Sequence, residues 1–281
     1  MCLPRFSSGI TLMLVFWSLL ATAAPVDTVR VYSHALNRNI PAVVIQPRAK
    51  APDEGFPILY LLHGFGGNYA LWINKVPQLQ DLCDKYGCII VCPDGGRTTL
   101  YFDNPFDTTY QFETHFIREL MPWVESHYPV RRDRQFRAIS GLSMGGFGAF
   151  YLASRHADLF GAAGSMSGAL NVDALAQYST LGRKDTTCCR IRWNAFATPE
   201  KVALAMECGT KDYLLAANRT AHQKLLDLGI PHDYTERPGK HEWEYWQNAI
   251  RFQLLFFRNY WDNAENNSPE QPTAAREWAV K

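Results

Sequence analysis

Residues 136–154 contain a local pattern that few folds can accommodate. A short apolar run, 136–139, arrives at Gly141-Leu142-Ser143-Met144-Gly145, and a helix-competent run, 146–154, leaves it. Read as strand, sharp turn and helix, the pattern puts Ser143 in a strained backbone position with its hydroxyl held out at the edge of a sheet. The glycines two positions to either side are required because a side chain at either place would collide with the adjoining strand or helix. Glycine and serine are common residues, so the chemical meaning of the turn depends on its strand-and-helix context and on a base and an acid further along the chain.

The rest of the chain supplies that context. Residues 26–34 and 39–46 alternate apolar and polar positions, as expected of an antiparallel pair at one edge of a sheet. Residues 57–62, 88–92 and 202–206 are continuous apolar runs, the mark of strands covered on both faces. Residues 161–167 and 232–236 read as further strands. Helices are expected over 70–86 with a break at Pro77, over 112–128, over 214–228 and over 242–261. Residues 97–110 lack a period and read as a surface loop, and 168–199 as a long insert over the site. Alternating buried strands and helices predict an α/β fold, with a mostly parallel central sheet and helices on both faces.

In such a sheet, functional groups gather on loops leaving the carboxyl ends of the strands. A serine hydroxyl is a weak nucleophile at neutral pH unless a base takes its proton, and imidazole suits that task. Of the eight histidines, His241 follows the last strand and precedes the last helix, which leaves its ring free to reach another loop. His63, before Gly64, is the rival and is expected to orient its own glycine-rich turn. Asp212 ends the turn after the 202–206 strand and is the expected acid; Asp173 and Asp185 fall in the same interval, inside the unpatterned insert. The backbone amides of Phe65 and Met144 are the natural donors to a developing oxyanion.

These residues resemble the α/β-hydrolase esterases related to esterase D, which include feruloyl and acetyl xylan esterases, short-chain acyl esterases and mycolyltransferase antigens. The resemblance rests on Tyr60-Leu61-Leu62-His63-Gly64-Phe65-Gly66-Gly67-Asn68 with Trp72, Pro93-Asp94-Gly95, residues 137–146, Cys208-Gly209-Thr210-Lys211-Asp212, and Gly239-Lys240-His241-Glu242-Trp243 with Trp246. It implies an α/β-hydrolase fold with Ser143 as nucleophile, His241 as base, Asp212 as its partner, Phe65 and Met144 at the oxyanion hole, and no cofactor or metal. Lys240 stands where many relatives have glycine, and Tyr101-Phe102-Asp103 where relatives often carry a Trp-Tyr pair. The implied reaction is hydrolysis of acyl esters through an acyl-enzyme, with acyl transfer to a sugar or carbohydrate binding without turnover as the alternatives.

Arg5, the apolar segment 10–20 and the small residues after it read as a secretory signal over residues 1–24, cleaved after Ala23 or Ala24. The esterase domain is expected over 25–262 and a polar tail over 263–281. Export to a secreted or periplasmic location predicts an oxidising compartment, so the six remaining cysteines allow up to three disulfides, although Cys92 and Cys208 at strand ends read better as small buried residues. It also favours acyl or feruloyl esters on extracellular polysaccharide over a cytosolic thioester, with Trp72, Tyr101, Phe102 and Trp193 as an aromatic surface for the substrate. A net charge of +1 without like-charged blocks gives no reason to expect nucleic acid, and the signal core is too short to leave a stable membrane span.

Overall fold

The computed structural model describes residues 25–171, 189–197 and 201–267. The expected signal segment, Asp173, Asp185 and most of the tail lie outside the described residues. Eight strands form one sheet: β1 (Val26–Ser33), β2 (Arg38–Ile45), β3 (Ile58–Leu62), β4 (Ile89–Pro93), β5 (Arg137–Gly141), β6 (Ala162–Met166), β7 (Ala203–Gly209) and β8 (Asp233–Arg237). Their spatial order is β1-β2-β4-β3-β5-β6-β7-β8. β1 and β2 form the expected antiparallel edge pair, with Val26 opposite Ile45, and β2 joins β4 antiparallel. All remaining pairings are parallel.

The continuous apolar strands follow from coverage on both faces. Ile58, Tyr60 and Leu62 point into one core with Phe116, Leu120, Phe147, Phe150 and Leu225. Leu59 and Leu61 point the other way, onto Trp72, Leu79, Tyr245, Trp246, Phe257 and Trp261. Strand residues alternate faces, so a strand buried on both must be apolar throughout. The second face is covered by α1 (Leu71–Lys75), α2 (Leu79–Tyr86) and, from the chain's end, a helix over Trp243–Asn266. Pro77 falls between α1 and α2, as the sequence predicts. That last helix runs past 262, so the first residues of the expected tail are helical.

The first face carries α3 (Phe112–Thr114), which continues through a π-helical stretch, His115–Leu120, into α4 (Met121–His127). It also carries α5 (Met144–Arg155) and α6 (Leu215–Asp227); the helix over Trp243–Asn266 is α7. Gly145, Gly146 and Gly148 make α5 a poor helix by propensity. Packing decides otherwise, because every residue from Met144 to Ser154 is buried.

Two expectations need correction. Residues 97–110 are not simply a surface loop: Leu100, Tyr101 and Phe102 are each 1% exposed and belong to the core. The disulfide expectation fails at Cys83 and Cys88, which are buried free thiols; Cys92 and Cys208 are buried free thiols too, as their places at strand ends predict. Cys83 donates its S–H to the Cys88 carbonyl at 3.0 Å, which occupies the thiol within its own turn. Burial pushes the Cys88 and Cys208 thiols up to about 12, because a thiolate there would be poorly solvated.

Candidate active site

Ser143 links β5 to α5 with φ 54° and ψ −116°, a conformation costing on the order of 1–3 kcal/mol for a non-glycine residue. The surroundings hold it there. Its N–H donates to the Met166 carbonyl at 3.0 Å, and its own carbonyl accepts from Phe147 at 3.1 Å and Ala169 at 3.0 Å. The flanking glycines are needed for space: a Cβ on Gly141 would lie 2.5 Å from the Gly145 carbonyl carbon, and one on Gly145 would lie 2.5 Å from the Leu62 carbonyl oxygen. The Gly-x-Ser-x-Gly spacing is therefore a record of how closely β3, β5 and α5 approach.

β7 and β8 are neighbours at the sheet edge, so their exit loops arrive side by side. Thr210 N–H donates to the Arg237 carbonyl at 2.8 Å and Lys211 N–H to the Gly239 carbonyl at 2.9 Å, tying the loop of Asp212 to the loop of His241. A Cβ on Gly209 would sit 2.5 Å from the Gly239 carbonyl oxygen. Across this junction His241 Nδ1 lies 2.9 Å from Asp212 Oδ2, and His241 Nε2 lies 2.9 Å from Ser143 Oγ. The imidazole ring is packed edge-on against Trp246, with centroids 4.8 Å apart, and tilted against Tyr213 at 4.4 Å.

The Asp212 side chain is fully buried and that of His241 is 13% exposed. Burial by itself would raise the Asp212 pKa, but bonds from the His241 ring and the Leu214 N–H, the latter 2.8 Å from Oδ1, hold it below the ordinary carboxylate range. An ionised Asp212 places the ring proton on Nδ1, which leaves Nε2 as a lone-pair acceptor for the Ser143 hydroxyl.

His63 has a different place. Its Nδ1–H donates to the Gly64 carbonyl at 2.8 Å, and its Nε2 accepts from the Gly95 N–H at 3.0 Å. Burial lowers its pKa, so the ring stays neutral in this bridge. With both nitrogens engaged it braces the turn that carries Phe65, as expected. Gly66 N–H, donating to the Arg97 carbonyl at 2.7 Å, fixes the same turn from the other side. Phe65 and Met144 both line the cavity beside Ser143, and among the described residues neither backbone amide has a hydrogen-bond acceptor. Met144 is also the first residue of α5, where the helix dipole favours negative charge.

That cavity has a volume of about 270 Å³ and is lined by Phe65, Leu100, Ser143, Met144, Ala169, Tyr213 and Leu214. The aromatic residues expected to touch substrate are elsewhere. Trp72 is 0% exposed, donates its Nε1–H to the Leu62 carbonyl at 3.0 Å and meets Trp243 edge-on, so it braces the end of β3. Tyr101 donates its hydroxyl to the His63 carbonyl at 3.0 Å, and Phe102 is buried beside it. Trp193 lines a separate cavity of about 340 Å³ that includes none of Ser143, His241 and Asp212. Sequence reasoning singles out none of Leu100, Ala169, Tyr213 and Leu214, although Leu100 and Ala169 fall in the unpatterned stretches 97–110 and 168–199 from which it expects acyl selectivity. Tyr213 and Leu214 could have been found by their adjacency to Asp212; nothing local marks Leu100.

A strained serine at a strand-to-helix turn, a buried carboxylate and a bridging histidine each stand at the carboxyl end of a parallel strand, and the fold that carries them is of the α/β-hydrolase class. Residues 33–257 match the family described as "Putative esterase", and the chain belongs to that family of carboxylic ester hydrolases. It is 27% identical over 253 residues to an acetyl esterase of Caldicellulosiruptor saccharolyticus, covering 78% of this chain and 92% of the relative. It is 37% identical over 235 residues to Esterase Rv1288 of Mycobacterium tuberculosis, covering 71% of this chain and 51% of the relative, so it spans about half the length of that protein. A solved ferulic acid esterase superposes with a TM-score of 0.73 at 30% identity, covering 85% of this chain and 100% of that structure. Among the described residues no helix is long and apolar enough to cross a membrane.

Proposed function

We propose that Ser143, His241 and Asp212 act as a catalytic triad that hydrolyses acyl esters through a covalent acyl-enzyme. The observation that carries this reading is the single ring of His241 bridging Ser143 Oγ and Asp212 Oδ2 at 2.9 Å each. His241 Nε2 takes the hydroxyl proton as Ser143 Oγ attacks the ester carbonyl. The Phe65 and Met144 amides then donate to the oxyanion, with the start of α5 favouring the negative charge. Collapse expels the alcohol, which receives its proton from His241 Nε2; water enters, gives a proton to the same nitrogen and releases the acid. Asp212 remains ionised and stabilises the imidazolium throughout.

The substrate part of the proposal is an uncharged acyl group, acetyl or feruloyl, borne on extracellular polysaccharide and met by a secreted or periplasmic protein. A cavity of about 270 Å³ with mostly apolar walls supports the acyl part. The names of the acetyl and ferulic acid esterases that this chain resembles agree with it, and the signal-like segment 1–24 supports export. The test is hydrolysis of p-nitrophenyl acetate, methyl ferulate and acetylated xylan by wild type and Ser143→Ala, with products analysed in the presence of a sugar acceptor. The expected result is release of free acid that Ser143→Ala abolishes. Undiminished turnover in that variant would overturn the nucleophile assignment, and acyl transfer to the sugar would replace hydrolysis as the activity.

A further inference from the structure

We infer that Leu100 sets the upper size limit of the acyl group, as a rigid inner wall of the cavity beside Ser143; this rests on the reading of Ser143 as the nucleophile. The cavity is graded from closed to open. Leu100 and Met144 are each 1% exposed and Ala169 is 3% exposed, whereas Phe65 is 52% and Tyr213 75% exposed. In an acyl-enzyme route the alcohol departs first and water must enter where it left, so the alcohol occupies the open side. The acyl group, held covalently until water arrives, faces the closed end. Among the described residues of that lining, Tyr213 at the mouth is the one polar residue apart from Ser143 itself, which suits an acyl chain without charge.

Among the three inner residues, Met144 and Ala169 are bound up with the nucleophile. Met144 follows Ser143 directly, and Ala169 N–H donates to the Ser143 carbonyl at 3.0 Å. Leu100 comes from a separate segment, so it can vary without rebuilding the turn that presents Ser143.

The segment cannot yield to a longer chain. Leu100 and Tyr101 are consecutive non-glycine residues at φ 56° and φ 61°, a pairing that persists only where the surroundings over-determine it. Tyr101 provides that constraint. Its hydroxyl is bonded to the His63 carbonyl, its N–H donates to Thr99 Oγ at 3.2 Å, and Thr99 Oγ–H donates to the Gly95 carbonyl. Its ring fills the space where a Cβ on Gly95 or Gly148 would lie, 1.9 and 2.5 Å from ring atoms. Tyr101 thus fixes Leu100 to the same turn that carries Phe65, as a positioning residue rather than the substrate contact expected of it.

The test is a series of p-nitrophenyl acetate, butyrate, hexanoate and octanoate with wild type, Leu100→Gly, Leu100→Ala and Leu100→Phe. Glycine tolerates the positive φ, which offsets part of the packing lost with the leucine side chain; the alanine variant gives the same reading if the glycine variant does not fold. We expect the hexanoate-to-acetate ratio of kcat/KM to rise about 10- to 200-fold in the shortened variants, the range one methylene commands in an apolar site. It should fall by a similar factor in Leu100→Phe. Ratios within about twofold of wild type in all variants, with turnover still abolished by Ser143→Ala, would overturn the role of Leu100 and leave the nucleophile standing. Turnover that survives Ser143→Ala would remove both.

Discussion

Replacing Asp212 by asparagine changes one charge and one proton, and the structure shows why the effect should be large. In the wild type Oδ1 accepts the Leu214 N–H at 2.8 Å, and His241 Nδ1 faces both carboxylate oxygens, Oδ2 at 2.9 Å and Oδ1 at 3.0 Å. An asparagine that keeps its oxygen on Leu214 turns its amino group toward Nδ1. The ring relieves that donor-to-donor clash by moving its proton to Nε2, where it faces Ser143 Oγ and can accept nothing. Flipping the amide restores the useful tautomer but strands the Leu214 N–H against another donor. An unmade buried hydrogen bond costs ~1–3 kcal/mol, so the competent tautomer is reduced by about 5- to 150-fold on this count alone. The imidazolium also loses its carboxylate neighbour as it forms. Together these should lower kcat by ~10⁴, the size of the corresponding loss in serine proteases, with KM little changed. Steady-state hydrolysis of p-nitrophenyl acetate, paired with a urea melt to verify folding, measures it. A folded variant within tenfold of wild-type kcat would refute the assignment and turn attention to Asp173 or Asp185.

Three further outcomes are expected. Gly145→Ala places a Cβ 2.5 Å from the Leu62 and 2.7 Å from the His63 carbonyl oxygens, so the turn must move; overpacking of this kind costs ~1–3 kcal/mol and displacement of the nucleophile ~10² in kcat, and unchanged Tm and kcat would contradict the packing described. Burial opposes ionisation of Glu113, yet hydrogen bonds from His156 and Tyr151 and the nearby Arg155 bring its pKa down to about 2, against ~4.3 for a free glutamate. Its folded pKa is depressed, so this stability is present above ~4.3 and lost as pH falls toward 2: urea melts should show Glu113→Gln weaker by up to about 3 kcal/mol at pH 7 with the gap closing in acid, and a gap independent of pH would refute the linkage. The thiols of Cys83, Cys88, Cys92 and Cys208 are buried, so Ellman's reagent should leave these four unreacted in the native protein and titrate them after denaturation; rapid native labelling of all four would show that they are not buried.

The sequence revealed what each strand carries at its end far better than what closes over it. The apolar runs of β3, β4 and β7 are legible because burial on both faces leaves no polar position, and Asp212 and His241 stood out because each follows such a strand or its neighbour. Their meeting also needs β7 beside β8, which the parallel alternation implied. Tyr101 and Phe102 were misread for the converse reason: an aperiodic aromatic stretch has the composition of a surface loop. Its burial depends on gaps left by Gly95 and Gly148, the latter 47 positions away along the chain from Tyr101. Positive φ at Leu100 and Tyr101 carries no local mark either, since neither residue favours it. Pairing failed at Cys83 and Cys88 on similar ground, as an even count signals disulfides only when the sulfurs are not already absorbed into a core. The proposed reacting groups sit at the ends of periodic elements, so periodicity finds them. The proposed acyl wall belongs to a segment positioned by contacts distant in sequence, so the chain discloses its proposed chemistry more readily than its proposed specificity, and Leu100 becomes visible when the Tyr101 ring is seen resting on Gly148.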